Sequence, residues 1–134
     1  MAQPAARQGD TVVGVDIHMV AVPAPPGPPV PTPLPHPFSG PLLQALSTDV
    51  LIDGLPAATI GSVALNQPPH LPTPPGTAFL VPPRNQGTVQ MGSATVFIDG
   101  KPAARMGDTV LTCNDPVEAP NGSITIGSPT VMIG

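Results

Sequence analysis

At 134 residues the chain is one domain long, and its 23 prolines and 14 glycines put it in the compositional range where disorder has to be considered. Charged residues are only 9% and mean hydropathy is +0.21, so the chain lacks the polarity that keeps a polypeptide open, and it is expected to collapse. Four basic residues (Arg7, Arg84, Lys101, Arg105) against eight acidic ones leave a net charge of −4, which excludes nucleic acid or an anionic membrane as a ligand held by clustered Lys and Arg.

Proline removes a backbone donor and clashes with the preceding helical turn, and here no proline-free gap exceeds 18 residues. The fold class expected is therefore all-β, a single domain over residues 1–134 with short hairpins, proline-rich loops and little helix. With three Phe, no Tyr and no Trp, the core has to be built from Val, Ile, Leu, Ala and Met, and so small an aliphatic core calls for a staple. A lone cysteine, Cys113, makes no internal disulfide. The N-terminus has no basic-then-apolar leader pattern and no apolar run reaches membrane-spanning length, so synthesis in the cytoplasm is expected.

In chain order, Pro4-Ala5-Ala6-Arg7 followed by Gly9-Asp10 is the first element, and it matches only the second half of a unit that recurs later. Residues 23–41 hold ten prolines and are expected to run as a stiff polyproline II loop. Ser39 to Thr48, with Leu42, Leu43 and Leu46 after a Ser39 cap, predicts a turn or two of helix. The unit appears whole at Val50–Ala64, where Asp53-Gly54 is a hairpin turn signal and Pro56-Ala57-Ala58-Thr59 opens the return strand. A second proline-rich loop spans 68–83, with seven prolines. The unit recurs without gaps at Val96–Val110, with Asp99-Gly100 and Pro102-Ala103-Ala104-Arg105.

Gly127 to Gly134 then repeats the first half of the unit and stops where Pro-Ala-Ala-Arg would follow. The C-terminal and N-terminal strands are thus expected to complete a third unit and close a ring of three, with the termini side by side. The small Ala-Ala pair suits the crowding of three copies about an axis.

His18, His36, His70 and Cys113 are the only imidazoles and thiol, and together they make a complete tetrahedral set for zinc. His18 and His70 lie at the same distance after Arg7 and Thr59, and Cys113 follows Arg105, so three of the four leave related places and are expected to converge. His36 would arrive from the first proline loop, between Pro35 and Pro37. The plainer alternative is two exposed loop histidines and a buried, inert cysteine. A closed set is structural, because a catalytic zinc keeps a position open for water, and its binding energy becomes folding energy. Imidazole and thiolate accept iron as well. Arg7 with Asp10, and Arg105 with Asp108, read as surface ion pairs inside a turn or as parts of a docking face.

The three Pro-Ala-Ala-Arg or Pro-Ala-Ala-Thr segments, the split unit and the three-His, one-Cys set resemble the repeats of PAAR-motif proteins over the whole chain. That resemblance implies a cone of three β repeats with pseudo-threefold symmetry and a metal near its vertex. It implies a role as the structural, non-enzymatic tip of a contractile injection machine, seated as one copy on a trimeric VgrG-like spike and helping it pierce a membrane. Such a tip is assembled in the cytoplasm and delivered with the spike, in a type VI secretion system or a phage-tail-like particle. Thr59 departs from the motif Arg, so the middle unit is not assigned the contacts an Arg would make. Because the third repeat ends at Gly134, a bare tip without a fused toxin domain is expected, with effector cargo bound non-covalently if at all. The alternatives are a free-standing metal-binding adaptor for cargo, and a metal hydrolase that would use three of the ligands with Glu118 or Asp115 as base.

Overall fold

The computed structural model describes residues 2–134, which are all-β; no helix is present among them. Short strands form three two-residue hairpins. The first pairs β1 (Gln3–Pro4) with β13 (Met132–Ile133), the second β4 (Leu51–Ile52) with β5 (Leu55–Pro56), and the third β9 (Phe97–Ile98) with β10 (Lys101–Pro102). In the two continuous hairpins, Asp53 and Asp99 (φ 53° and 54°) precede Gly54 and Gly100 (φ 81° and 77°), the two positive φ values of a turn that matches strand twist. A side-chain hydroxyl closes the entry to each hairpin: Ser47, Ser93 and Ser128 accept backbone N–H bonds from Val50, Val96 and Val131 at 2.9 Å each.

The return strands meet head to tail. Ala6 N–H donates to Ala104 O, Ala104 N–H to Ala58 O and Ala58 N–H to Ala6 O, each at 3.0 Å, so three backbone hydrogen bonds close a triangle. Only a residue with no bulk beyond Cβ fits where three chains cross. Ala6 and Ala104 are fully buried and Ala58 is 1% exposed. On one side of this ring, Ala5, Ala57 and Ala103 pack with Ile52, Ile98 and Ile133 in a small apolar cluster.

On the other side, the remaining long strands form a barrel. They are β2 (Thr11–Val22), β3 (Val30–Gln44), β6 (Val63–Leu65), β8 (Gln86–Val89), β11 (Thr109–Thr112) and β12 (Ala119–Ile124), with the short β7 (Ala78–Phe79) added to β2. The order β12-β11-β8-β6-β3-β2 closes because β12 also pairs with β2, from Gly122 opposite Gly14 to Ile124 opposite Val12, leaving no open sheet edge between them. The core is stacked in threes that follow the repeat: Val12, Ala64 and Val110, then Leu42, Val89 and Ile124, all at most 1% exposed. The next inward position is glycine in all three units. A Cβ on Gly87 would stand 3.2 Å from Phe38 Cζ and 2.9 Å from Val110, so the missing side chain at Gly87 leaves room for Phe38 in the barrel.

Two expectations need correction. The segment 30–41 is a ladder strand rather than a free polyproline II loop, pairing with β2 from Thr11 opposite Pro41 to Val22 opposite Val30. Prolines 31, 33, 35, 37 and 41 all occupy odd positions, whose backbone groups face away from β2. Ser39 shows that direction, with its N–H and C=O engaged at Asn66 and Gln67, and Pro35 O accepts from Thr73 Oγ1. The missing donors therefore cost the ladder nothing. Nor is there a helix over Ser39–Thr48: β3 continues through Gln44, with Leu42 opposite Ala64 in β6. The apolar pair Leu42-Leu43 reads as a helical face, but pairing on both edges wins over a weak local propensity.

Candidate metal centre

Strand parity builds the site. Along β2 the even residues Val12, Asp16, His18 and Val20 face inward and are at most 1% exposed, while Val13, Val15 and Ile17 face out. β3 adds His36 and Phe38 from its own inward phase, both buried. His70 comes from the loop after β6, held by its N–H to Asn85 Oδ1 at 2.8 Å, and Cys113 from the residue after β11.

Asp16, His18, His70 and Cys113 meet in the barrel lumen, their donor atoms all within 4.8 Å of one another. Asp16 Oδ2 lies 3.1 Å from His70 Nε2 and 3.4 Å from Cys113 Sγ, and Cys113 Sγ lies 3.9 Å from His18 Nε2. Thr112 Oγ1 donates to the other Asp16 oxygen. Ligands about 2.0–2.3 Å from a tetrahedral ion stand roughly 3.3–3.8 Å apart, so the cluster is already near coordination size. Its chemistry also asks for a cation. Asp16 is fully buried, no Lys or Arg reaches it, and a carboxylate so placed needs compensating positive charge. Burial pushes the Cys113 thiol up to about 11, and the Asp16 charge adds to that, so only a bound cation would keep it a thiolate at neutral pH. These four side chains can hold a metal ion.

His36 stands beside the cluster, with its ring centroid 5.2 Å from His18 and 5.6 Å from His70, but is not one of the four. Both its nitrogens are taken by backbone: Nδ1 donates to Leu34 O at 2.8 Å, and Nε2 accepts the Thr73 N–H at 3.0 Å. Burial and the neighbouring imidazoles hold its pKa below the ordinary histidine value, which keeps the ring neutral. Of the four residues expected as ligands, the structure thus gathers His18, His70 and Cys113 and places Asp16 where His36 was expected. Asp16 had one sequence signal, a carboxylate in the inward phase of an alternating strand. Phe79 caps the group, 5.7 Å from His18 and 5.3 Å from His36.

Of the candidate bases, Asp115 is bonded to His18, with Oδ2 3.3 Å from Nδ1, and Glu118 is paired with Arg84 at 3.4 Å on the surface. The two Arg–Asp pairs are not ordinary surface pairs. Arg7 and Arg105 side chains are only 13% and 17% exposed, and each forks both its Nε and Nη2 onto Asp10 or Asp108. The middle unit substitutes a neutral version, with Thr59 N–H donating to Ser62 Oγ at 3.0 Å.

No curated protein matches the chain. The family model described as PAAR motif matches residues 81–134, a stretch that carries the whole third Pro-Ala-Ala-Arg unit, Cys113 and the C-terminal half-unit. The same unit recurs at Val50–Ala64 and is split across the termini, so the PAAR motif matched at residues 81–134 is similar to the repeat that builds the rest of the chain.

Proposed function

We propose that this chain is the metal-stabilised structural tip of a contractile injection machine, seated as a single copy on the end of a trimeric VgrG-like spike. The PAAR motif marks a structural family rather than an enzymatic one, which supports a role in secretion. The observation that carries the reading is the alanine ring with its three hairpins. One chain there presents Leu51, Phe97 and Met132 at repeat-equivalent places, each more than half exposed. A single asymmetric chain would meet the three subunits of a trimer with three unlike surfaces, whereas this base offers each the same apolar contact.

The metal in this reading is divalent zinc, with iron as the other ion the donors accept. Ionised Asp16 and Cys113 would neutralise a divalent ion, leaving a buried site without net charge. When bound, the ion supplies a structural crosslink between β2, the His70 loop and the end of β11. The tip would be assembled in the cytoplasm and delivered with the spike. A second reading, an adaptor that carries effector cargo, is favoured by the outward row Val13, Val15 and Ile17 on β2, exposed by 43%, 52% and 37%.

The test is co-expression with a VgrG-like trimer, native mass spectrometry of the complex and elemental analysis. One copy per trimer with one zinc is expected, and Phe97→Asp together with Leu51→Asp should abolish the complex while leaving the fold. Three copies per trimer, or binding untouched by the base substitutions, would overturn the tip reading. Binding lost only on changing Val15 would favour the adaptor.

A further inference from the structure

Between Gly14, the last residue of β2 paired to β12, and Val20, the first paired to β7, one edge of β2 has no strand partner. The tripeptide Cys113-Asn114-Asp115 takes that edge. Ile17 N–H donates to Asn114 Oδ1 at 2.7 Å, Asp115 N–H donates to Ile17 O at 2.8 Å, and Met19 N–H donates to Asp115 Oδ2 at 3.1 Å. The same Asp115 oxygen stands 3.3 Å from His18 Nδ1, while Cys113 Sγ stands 3.9 Å from His18 Nε2. One three-residue segment therefore holds the His18 ring by both nitrogens.

We propose that Asp115 is a positioning residue for the metal centre: it fixes the proton of His18 on Nδ1 and the ring in one orientation, so that the Nε2 lone pair faces Asp16, His70 and Cys113. An imidazole can carry its single proton on either nitrogen and turn about its last side-chain bond, and a ligand must commit both choices before an ion arrives. A carboxylate accepting from the far nitrogen settles both and makes the near nitrogen a better donor. Because Oδ2 also takes the main-chain N–H next to His18, the ring and its backbone are fixed from one atom. Because Cys113 is two residues away on the same segment, thiol and imidazole are brought to register together. The inference rests on the four residues being a metal site, and its test separates the two ideas.

The experiment uses the full chain loaded with Co2+, whose absorption reports thiolate coordination and geometry, with affinity measured by competition against a chelator. Asp115→Ala is expected to lower affinity by about 10–100-fold and to change the cobalt bands. Asp115→Asn, which keeps an acceptor oxygen but no charge, should recover most of that loss and also serves if the alanine variant fails to fold. Asn114→Ala removes the neighbouring latch bonds without touching His18, and should bind within about threefold of the unmodified chain if the ring orientation is what matters. Asp115→Ala binding as tightly as the unmodified chain, or Asn114→Ala losing as much affinity as Asp115→Ala, would overturn the assignment. An unmodified chain that takes up no cobalt or zinc would overturn the metal site itself.

Discussion

The two ends of the molecule solve different problems. At the alanine ring the framework contacts occur three times: three hairpins, three serine-closed entries and three backbone bonds between alanines. At the other end nothing is repeated. Asp16 and His18 come from β2, His70 from a loop and Cys113 from the end of β11, with His36 and Phe79 packed against them. Small apolar residues and backbone hydrogen bonds can be tripled at little cost, because each copy is satisfied by its neighbour. A single ion cannot be shared that way and needs donors gathered from several unlike segments. In the proposed reading, symmetry serves the end that would face a trimer, and asymmetry serves the end that would hold an ion.

The comparison breaks most visibly at the metal end. Stripping the ion with a strong chelator, or Cys113→Ala, should remove about 4 kcal/mol at metal a thousandfold above its Kd and lower Tm by about 10 °C or more. Thermal unfolding followed by circular dichroism reads it, and an unmoved curve would mean that the asymmetric end carries no staple. Next comes the ring: Ala58→Val forces two methyl groups into a fully packed crossing and should cost about 1–3 kcal/mol in urea unfolding. A neutral result would show that the crossing has slack.

The corners sharpen the contrast within the symmetric end. Asp108→Ala leaves the Arg105 fork and its N–H without their acceptor and should cost about 3 kcal/mol, whereas Ser62→Ala in the neutral corner should cost about 1 kcal/mol. Equal losses would mean that the charge adds nothing over a hydroxyl.

The smallest effect concerns acid. Hydrogen bonds from Ser128 and Thr130, followed by the Arg7 guanidinium at 2.9 Å, hold the Asp53 carboxyl below its ordinary pKa. A depressed carboxylate contributes stability that is present above the unfolded pKa and lost as pH falls through the folded one. Asp53→Asn should therefore lower stability slightly in the neutral region, converge with the unmodified chain at low pH, and so flatten the acid limb of the stability profile. A steeper acid limb in the variant would reverse that assignment.

Much of the symmetric end was legible because its signals are local. Asp-Gly before Pro-Ala-Ala is a turn followed by a strand opening whatever surrounds it, and the proline spacing left room for no long helix. The metal end was less so. His18, His70 and Cys113 carried a repeat position, but Asp16 differed from any other buried-strand residue only by its charge, and His36 looked like a ligand until Thr73 and Leu34 took its nitrogens. The proline-rich segment misled for a related reason. A proline at every second residue is as compatible with a ladder strand as with a free polyproline II chain, and only the presence of β2 along one edge selects between them.

What the residues determined alone is therefore the all-β class, the three units and the places of the turns, since proline, glycine and aspartate act on the backbone within a few residues. What only the tertiary structure decided is which backbone groups lie opposite one another. Pairing within the barrel and the choice of four donors join positions about a hundred residues apart, as with Val12 opposite Ile124 and Asp16 beside Cys113, and no local preference encodes which of them will meet.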